Sequence, residues 1–384
     1  MNFSGWRYYC CPALSCKGGN ESDLEMNSEH LKRIEKLQMA MAAANVDAVF
    51  LYSSVNRHYF TGLTTSNGLL LVERHGVPVF YTDFRYLEVA HRVLKGIEVR
   101  KFKPAKEQLA DYAAAAAGWK TIGYEGNLTV AQFLPLQETM AHAKWTSISS
   151  MVSALRAVKS AEEIDAIRRS AAANDALFAD LMDTFKVGMS ELEMLRHFRM
   201  KLAARGLAES FAPILCAGTN AVECHHEPDD TVLQPNSELL IDMGVVVDNY
   251  CSDMTRTIFF GEPTKRFCEI HSIVLEANRA ALAAIKPGVR CCDIDAIARN
   301  IIKDYGYGEY FDHSLGHSVG LEVHEQPALS INCETVLEPG MIVTDEPGIY
   351  IPGEVGVRIE DLVLVTENGC ESLSHTPHEI VLPC

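Results

Sequence analysis

Two aspartates flank a short turn in a stretch of strand-like sequence. Residues 239–261 read LLIDMGVVVDNYCSDMTRTIFFG, with apolar and β-branched runs on both sides of Val247-Asp248-Asn249. An antiparallel hairpin centred on that turn is expected to place Asp242 directly opposite Asp253, with Cβ atoms about 4.5–5.5 Å apart. Like charges in that arrangement are destabilising unless a positive charge lies between them.

A second acidic pair flanks a turn further along the chain. Residues 342–365 read IVTDEPGIYIPGEVGVRIEDLVLV, and the turn at Ile351–Val355 is centred on Gly353. Glu346 and Glu360 are symmetric about it. One such pair is weak evidence of function, but two hairpins in the same part of the chain predict a shared pocket of carboxylates.

Four carboxylates in one pocket cannot all ionise without compensating positive charge. Two divalent metal ions are the natural compensation, and oxygen donors with one imidazole favour manganese, while cobalt, zinc and iron are also compatible. Two ions about 3.5–4 Å apart hold a bridging hydroxide and stabilise a tetrahedral intermediate, so hydrolysis is the predicted chemistry. The candidate imidazoles are those of His225, His226, His313, His317 and His324.

The motifs around these residues resemble the superfamily of methionine aminopeptidase, prolidase, aminopeptidase P and creatinase, whose catalytic domain has the "pita-bread" fold. The N-terminal part resembles the prolidase and creatinase branch, and the likeness extends over about residues 29–384. The matching motifs are His225-His226-Glu227-Pro228, Asp242–Gly244, Ser252–Thr257, His313–His317, Gly320–Glu325, Glu346–Tyr350, Val357–Asp361, Asn56–Gly62 and Tyr81–Tyr86.

This resemblance implies a dinuclear metal centre. Asp253 and Glu360 would bridge the two ions, Asp242 would complete the shell of one ion, and His317 with Glu346 would complete that of the other. Creatinase-like members lack the full set of ligands. Since all five positions are filled here, the resemblance favours a metallopeptidase.

Other residues take roles from the chemistry. Glu346 is expected to transfer a proton from the attacking water to the leaving amine. His225 and His324 are expected to donate hydrogen bonds to the developing oxyanion and the substrate backbone. For Arg358 two roles stay open: it orients Glu360 or a substrate group, or it forms a structural ion pair.

The branch resemblance implies a peptide substrate with proline at the second position, and a homodimer. We favour an aminopeptidase P, which cleaves the Xaa-Pro bond at the N-terminus of peptides, with an Xaa-Pro dipeptidase (prolidase) as the alternative. Two departures from the family pattern lie near the predicted site: Cys224 replaces a proline and Ser318 replaces a glycine. They leave the substrate choice more open than metal binding.

Two other classes compete with the peptidase. Gly316–Gly320 matches the G-x-S-x-G motif of serine hydrolases, with Ser318 as nucleophile. That motif requires a buried strand before it and a helix after it, yet the preceding segment is only half apolar and Pro327 interrupts any following helix. It also leaves the acidic hairpins unexplained. A non-catalytic binding protein on the same fold is expected to lack metal ligands.

The composition narrows the classes further. The chain has 384 residues, 48% of them hydrophobic, and a formal net charge of −17. This acidic balance disfavours nucleic-acid binding. No apolar run approaches the roughly 20 residues that a membrane-spanning helix requires. The 12 cysteines include no C-x-x-C pair, which indicates reduced thiols in a cytoplasmic protein.

The chain is expected to fold as a smaller α/β creatinase/prolidase-type N-terminal domain (27–150) and an α+β pita-bread domain (151–384), after a tail (1–26) that is disordered or precedes the true start. Alternating helix and strand patterns over 29–148 indicate the first domain. In the second, Ser160–Glu163 is a capping box that begins a long helix. The other predicted helices lie at 190–204, 264–285 and 292–305.

Overall fold

The computed structural model describes residues 21–383. The chain divides into two compact units, and the division falls between Ile148 and Ser149. We call them the N-terminal and the C-terminal unit. None of the described helices has the length and apolar character needed to cross a membrane.

The N-terminal unit is built on a six-stranded mixed sheet with strand order β4-β3-β2-β1-β5-β6. Its strands are β1 (Ala48–Leu51), β2 (Leu69–Glu73), β3 (Val79–Thr82), β4 (Glu98–Lys101), β5 (Thr121–Tyr124) and β6 (Lys144–Ser147). Its helices are α1 (Glu21–Ala43), α2 (Ser54–Thr61), α3 (Phe84–Val93), α4 (Ala105–Ala115) and α5 (Val130–Thr139). Strands β2 and β3 pair antiparallel and form a hairpin.

Two elements of this unit differ from the prediction. Helix α1 begins at Glu21, inside the segment predicted as a tail of residues 1–26, and residues 1–20 of that segment lie outside the described residues. Helix α2 was not predicted, because eight largely polar residues are too short to show a helical period. Ser53 caps its first turn and Gly62 ends it with φ of 71°.

The C-terminal unit has five longer helices: α6 (Ser149–Ala157), α7 (Ala161–Met182), α8 (Glu191–Ala204), α9 (Lys265–Ala284) and α10 (Cys291–Asp304). The predicted capping box is confirmed at α7, where Ser160 accepts from the Glu163 amide and the Glu163 side chain accepts from the Ser160 amide. Helix α6 spans the predicted domain boundary between residues 150 and 151.

The strands of this unit form sheets of order β20-β12-β9-β8, β14-β13-β15-β18-β19, β11-β10-β7 and β16-β17. They are β7 (Ala208–Glu209), β8 (Ile214–Ala217), β9 (Ser237–Met243), β10 (Val245–Val247), β11 (Tyr250–Cys251), β12 (Met254–Phe260), β13 (Gly316–Ser318), β14 (Glu325–Leu329), β15 (Ile342–Asp345), β16 (Gly348–Ile351), β17 (Val355–Arg358), β18 (Asp361–Val365), β19 (Cys370–Ser372) and β20 (Val381–Leu382). One apolar cluster joins α9 and α10 to β15–β18, and another joins α7 and α8 to β8, β9 and β12.

The predicted register of the first acidic hairpin is wrong. Asp242 pairs with Thr255, not with Asp253. The turn consists of Asp248 and Asn249, with φ of 50° and 70°, so the hairpin is centred further along the chain than predicted. Asp and Asn tolerate such positive φ values and favour the two-residue turn that matches strand twist. Asp253 precedes Thr255 by two residues and is therefore a diagonal neighbour of Asp242.

The predicted register of the second hairpin is confirmed. Gly348 pairs with Arg358 in β16–β17, and Asp345 pairs with Asp361 in β15–β18. Glu346 lies between β15 and β16, and Glu360 lies between β17 and β18. The two matched ladders therefore bring these glutamates opposite one another.

Candidate metal centre

The five predicted metal ligands all line one cavity of about 650 Å³ in the C-terminal unit. Asp253, His317 and Glu360 each offer a donor atom, and these atoms lie within 4.8 Å of one another. The His317 Nε2 atom lies 3.3 Å from the Glu346 Oε1 atom and 3.7 Å from the Asp253 Oδ2 atom. Donors from four separate segments of the chain thus converge in one place.

Close backbone approach makes room for this convergence. At Gly316, the residue before His317, an added Cβ would lie 2.0 Å from the Thr344 carbonyl oxygen. At Gly244, two residues after Asp242, it would lie 2.0 Å from a backbone oxygen. Only glycine fits such positions, so these residues bring the ligand-bearing strands together.

Three of the site carboxyl groups have raised pKa values, which favours their protonated forms in the protein without metal. Burial, followed by the charges of Glu360, Asp242 and Glu346, raises the pKa of Asp253 well above its usual value. Burial also raises the pKa of Glu360, and it raises that of Glu346 to about 8. Ionisation of each group is costly because burial removes water from the charged form and the neighbouring carboxylates repel it.

Two buried acceptors fit a cation. The Oδ1 atoms of Asp242 and Asp253 have no hydrogen-bond partner among the residues described. A buried carboxylate oxygen without a partner is costly, and a metal ion would satisfy it. With the imidazole of His317, the donor set fits hard or borderline divalent ions such as manganese.

His317 is oriented for binding through its Nε2 atom. Burial, aided by the charge of His324, lowers the pKa of His317 to about 4, so its ring is neutral near pH 7. Its Nδ1–H donates to the Ser318 carbonyl oxygen at 3.2 Å. The lone pair of Nε2 therefore faces the carboxylates. The ring of His324 lies against that of His317, with centroids 4.4 Å apart.

Arg358 connects two of the carboxylates. Its guanidinium donates to Asp242 Oδ2 at 2.6 Å, to the Tyr350 hydroxyl at 2.9 Å and to Thr255 Oγ1 at 3.1 Å. Thr255 in turn donates to Glu360 Oε2 at 2.7 Å. Of the two roles left open for Arg358, the geometry matches a buried ion pair with Asp242 and reaches Glu360 only through Thr255.

The remaining histidines divide into two groups. His225, His313 and His324 line the cavity. His226 also borders it, but its ring is held by Glu191 Oε2 at 2.8 Å and Glu223 Oε2 at 3.0 Å. His226 is therefore engaged in a network away from the proposed ligands.

Sequence reasoning missed Tyr350. Burial lowers the pKa of His313 to about 4, and its Nδ1–H donates to the Ser314 carbonyl oxygen at 2.8 Å. Its Nε2 therefore accepts from the Tyr350 hydroxyl at 3.0 Å, while that hydroxyl accepts from Arg358. The position of Tyr350 in the Glu346–Tyr350 motif was the one signal available.

The geometry contradicts the serine hydrolase alternative. Ser318 is fully buried, and its Oγ atom donates to the Ile342 carbonyl oxygen at 2.7 Å. It ends strand β13, which continues into turns and β14 instead of a helix. Ser318 does not line the cavity, whereas Cys224, the other departure from the family pattern, does.

Comparison with known families gives two matches. Residues 165–367 match the model of metallopeptidase family M24. Residues 33–158 match the model of the creatinase/prolidase N-terminal domain. The expected fold class, a creatinase/prolidase-type N-terminal domain followed by a pita-bread domain, is thereby confirmed.

Individual relatives cover almost the whole chain. The Xaa-Pro dipeptidase of Pyrococcus furiosus is 36% identical over 352 residues, which are 91% of this chain and 99% of that protein. The structure of the Xaa-Pro dipeptidase from Bacillus anthracis superposes with a TM-score of 0.87 at 35% identity, covering 92% of this chain and 99% of that one. That of the X-Pro aminopeptidase from Thermotoga maritima gives 0.80 at 31% identity, covering 90% and 100%.

Proposed function

This chain belongs to metallopeptidase family M24, and we propose that it is an Xaa-Pro dipeptidase with a dinuclear metal centre. The observation that supports this most is the gathering of Asp253, His317 and Glu360 within 4.8 Å, with Asp242 and Glu346 lining the same cavity. The activity named for the Pyrococcus furiosus and Bacillus anthracis relatives supports the dipeptidase assignment.

The aminopeptidase P interpretation, which we favoured from sequence, becomes the second candidate. The X-Pro aminopeptidase from Thermotoga maritima supports it. The dipeptidases of Pyrococcus furiosus and Bacillus anthracis, however, are 36% and 35% identical to this chain, whereas the aminopeptidase is 31% identical. Both candidates cleave before proline, and they differ in whether the chain may continue beyond it.

Asp242, Asp253, His317, Glu346 and Glu360 would hold two divalent ions. When bound, such ions supply Lewis-acid chemistry, which lowers the pKa of water and polarises a carbonyl group. Neutral His317 needs no deprotonation to serve as a ligand, whereas Asp253, Glu346 and Glu360, whose pKa values are raised, must release their protons when the ions bind.

The other residues bind and orient the substrate or move protons. Glu346 would accept a proton at a carboxylate oxygen and return it to the leaving nitrogen. His225 and His324 donate hydrogen bonds to the substrate carbonyl and backbone. Arg358 holds the Asp242 side chain in place by donating to its Oδ2 atom at 2.6 Å.

Peptide cleavage tests the proposal. The enzyme, stripped of metal and reconstituted with manganese, is given Ala-Pro, Ala-Pro-Ala and Ala-Ala. A dipeptidase is expected to cleave Ala-Pro at least about tenfold faster than Ala-Pro-Ala, and Ala-Ala slowly. Faster cleavage of Ala-Pro-Ala would replace the dipeptidase by the aminopeptidase, and equal activity after chelation would refute a metallopeptidase mechanism.

Three narrower statements belong to the same proposal: the metal is manganese, the protein is a homodimer and it is located in the cytoplasm. The oxygen-rich donor set supports manganese. The branch resemblance supports the dimer, and the cysteine pattern supports a reducing compartment. Metal analysis of the purified protein, light scattering and cell fractionation measure them in turn.

A further inference from the structure

A buried cluster of charges lies behind the segment that joins His317 to His324. Lys159 has a side chain only 1% exposed, and its Nζ lies 3.5 Å from Glu325 Oε2. Arg156 donates to the other oxygen of Glu325 and, at 2.8 Å, to Glu322. None of these four residues has a role in the proposed reaction.

Glu325 organises the backbone of this segment. Its Oε1 accepts from the Glu322 amide at 3.3 Å. A Cβ on Gly320 would lie 2.5 Å from the same carboxylate, so the chain wraps closely around it. Burial by itself would raise the pKa of Glu325, but the charges of Lys159 and Arg156 outweigh burial and lower it. The segment is therefore folded around an ionised carboxylate.

Ser318 links this cluster to the metal centre. Lys159 Nζ donates to Ser318 Oγ at 3.1 Å, and that hydroxyl donates to the Ile342 carbonyl oxygen at 2.7 Å. The carbonyl of the same serine accepts from His317 Nδ1 at 3.2 Å. The side chain of Ser318 is thus fixed by two hydrogen bonds, and its backbone carbonyl fixes the imidazole of His317.

We propose that Lys159 and Ser318 are positioning residues that fix the tautomer and orientation of His317 for metal binding. The inference rests on the proposed metal centre. A partner that accepts the second ring N–H of a histidine ligand sets which nitrogen faces the metal, and its loss weakens metal binding about 10–100-fold.

Titration of metal-free protein with manganese tests the role without relying on activity. Ser318→Ala and Lys159→Met keep the accepting backbone carbonyl but remove the side-chain contact that holds it, so each is expected to raise the manganese dissociation constant by up to about tenfold, the lower end of that range. The double variant is expected to be little weaker than either single one, because both changes break the same link. Ser170→Ala is the matched control, since Ser170 is also a buried serine whose hydroxyl donates to a carbonyl, that of Val245, at 2.7 Å.

A purely structural role predicts a different pattern. In that case Ser318→Ala, like Ser170→Ala, lowers the unfolding temperature of the metal-free protein and leaves the dissociation constant at the wild-type value, which would overturn the inference. If Lys159→Met fails to fold, Ser318→Ala decides alone. His317→Ala distinguishes failure of the positioning role from failure of the metal centre. Wild-type manganese affinity in that variant would refute the metal centre itself.

Discussion

Asp253 is a buried acidic residue surrounded by other carboxyl groups. It is almost fully buried, one of its oxygens has no hydrogen-bond partner among the described residues, and Glu360, Asp242 and Glu346 all raise its pKa. A carboxylate in this position destabilises the protein unless a cation is present. Metal binding, and not the stability of the metal-free protein, therefore accounts for an aspartate at this position.

Asp253→Asn is expected to abolish the rise in unfolding temperature that metal produces, and to lower peptidase activity at least about 100-fold. The metal-free variant should be no less stable than the wild type, since an amide cannot become a buried negative charge beside Glu360 and Glu346. Thermal unfolding with and without manganese measures this. Asp248→Asn, at the exposed turn of the same hairpin, is the control, and a normal metal response in Asp253→Asn would contradict the assignment.

The stability of the metal-free protein should depend on pH through Glu346. Its pKa is about 8 when folded and 4.5 in the reference state. Between these two pKa values the folded protein binds more protons than the unfolded one. The contribution of Glu346 to the free energy of unfolding is therefore fully present below about pH 4.5 and is lost as pH rises through 8. Urea unfolding in chelator at pH 6 and 8 should show a fall of up to about 1.4 kcal/mol per pH unit and per proton. In Glu346→Gln the fall should be smaller, and an unchanged slope would exclude Glu346 as its source.

At the scale of elements, two hairpins and strand β13 position the ligands. The second hairpin places Glu346 opposite Glu360 by register alone. The first hairpin brings its two aspartates together less directly, because Asp242 pairs with Thr255 and Asp253 is the diagonal neighbour of Asp242. Strand β13 adds His317, and its neighbour Gly316 permits the close contact with β15. The position of the imidazole depends on that contact.

Gly316→Ala should push β13 away from β15, since its Cβ would lie 2.0 Å from the Thr344 carbonyl oxygen. Overpacking of this kind costs about 1–3 kcal/mol, and the displaced His317 should bind manganese more weakly. Urea unfolding and manganese titration measure the two effects. Gly369→Ala, where an added Cβ has no neighbour within 4 Å, serves as control. Wild-type behaviour of Gly316→Ala would show that the strands separate without consequence.

For the whole molecule, the two units differ in what they contain. All the proposed ligands, the cavity and the Lys159–Glu325 cluster belong to the C-terminal unit. The N-terminal unit has its own apolar core around Phe50. Metal binding should therefore stabilise the C-terminal unit directly.

Hydrogen exchange followed by mass spectrometry should show this asymmetry. Manganese is expected to slow exchange in peptides that cover 239–260, 313–324 and 342–361. Peptides from residues 29–148 are expected to exchange at the same rate with and without metal. Asp253→Asn, treated identically, should show no metal effect in either unit. Equal protection of both units would mean that they unfold together.

The sequence alone determined the local features of this protein. The helical period and the Ser160–Glu163 capping box indicated α7, and the symmetric Glu346–Glu360 hairpin followed from pattern and turn. Local periodicity reports such elements because neighbours in sequence share a face. Only the tertiary structure decided that Asp242 is paired with Arg358, 116 residues away, and that Lys159 holds Ser318, 159 residues away. Contacts at these separations depend on how whole strands and helices pack, and no periodicity in the sequence records them.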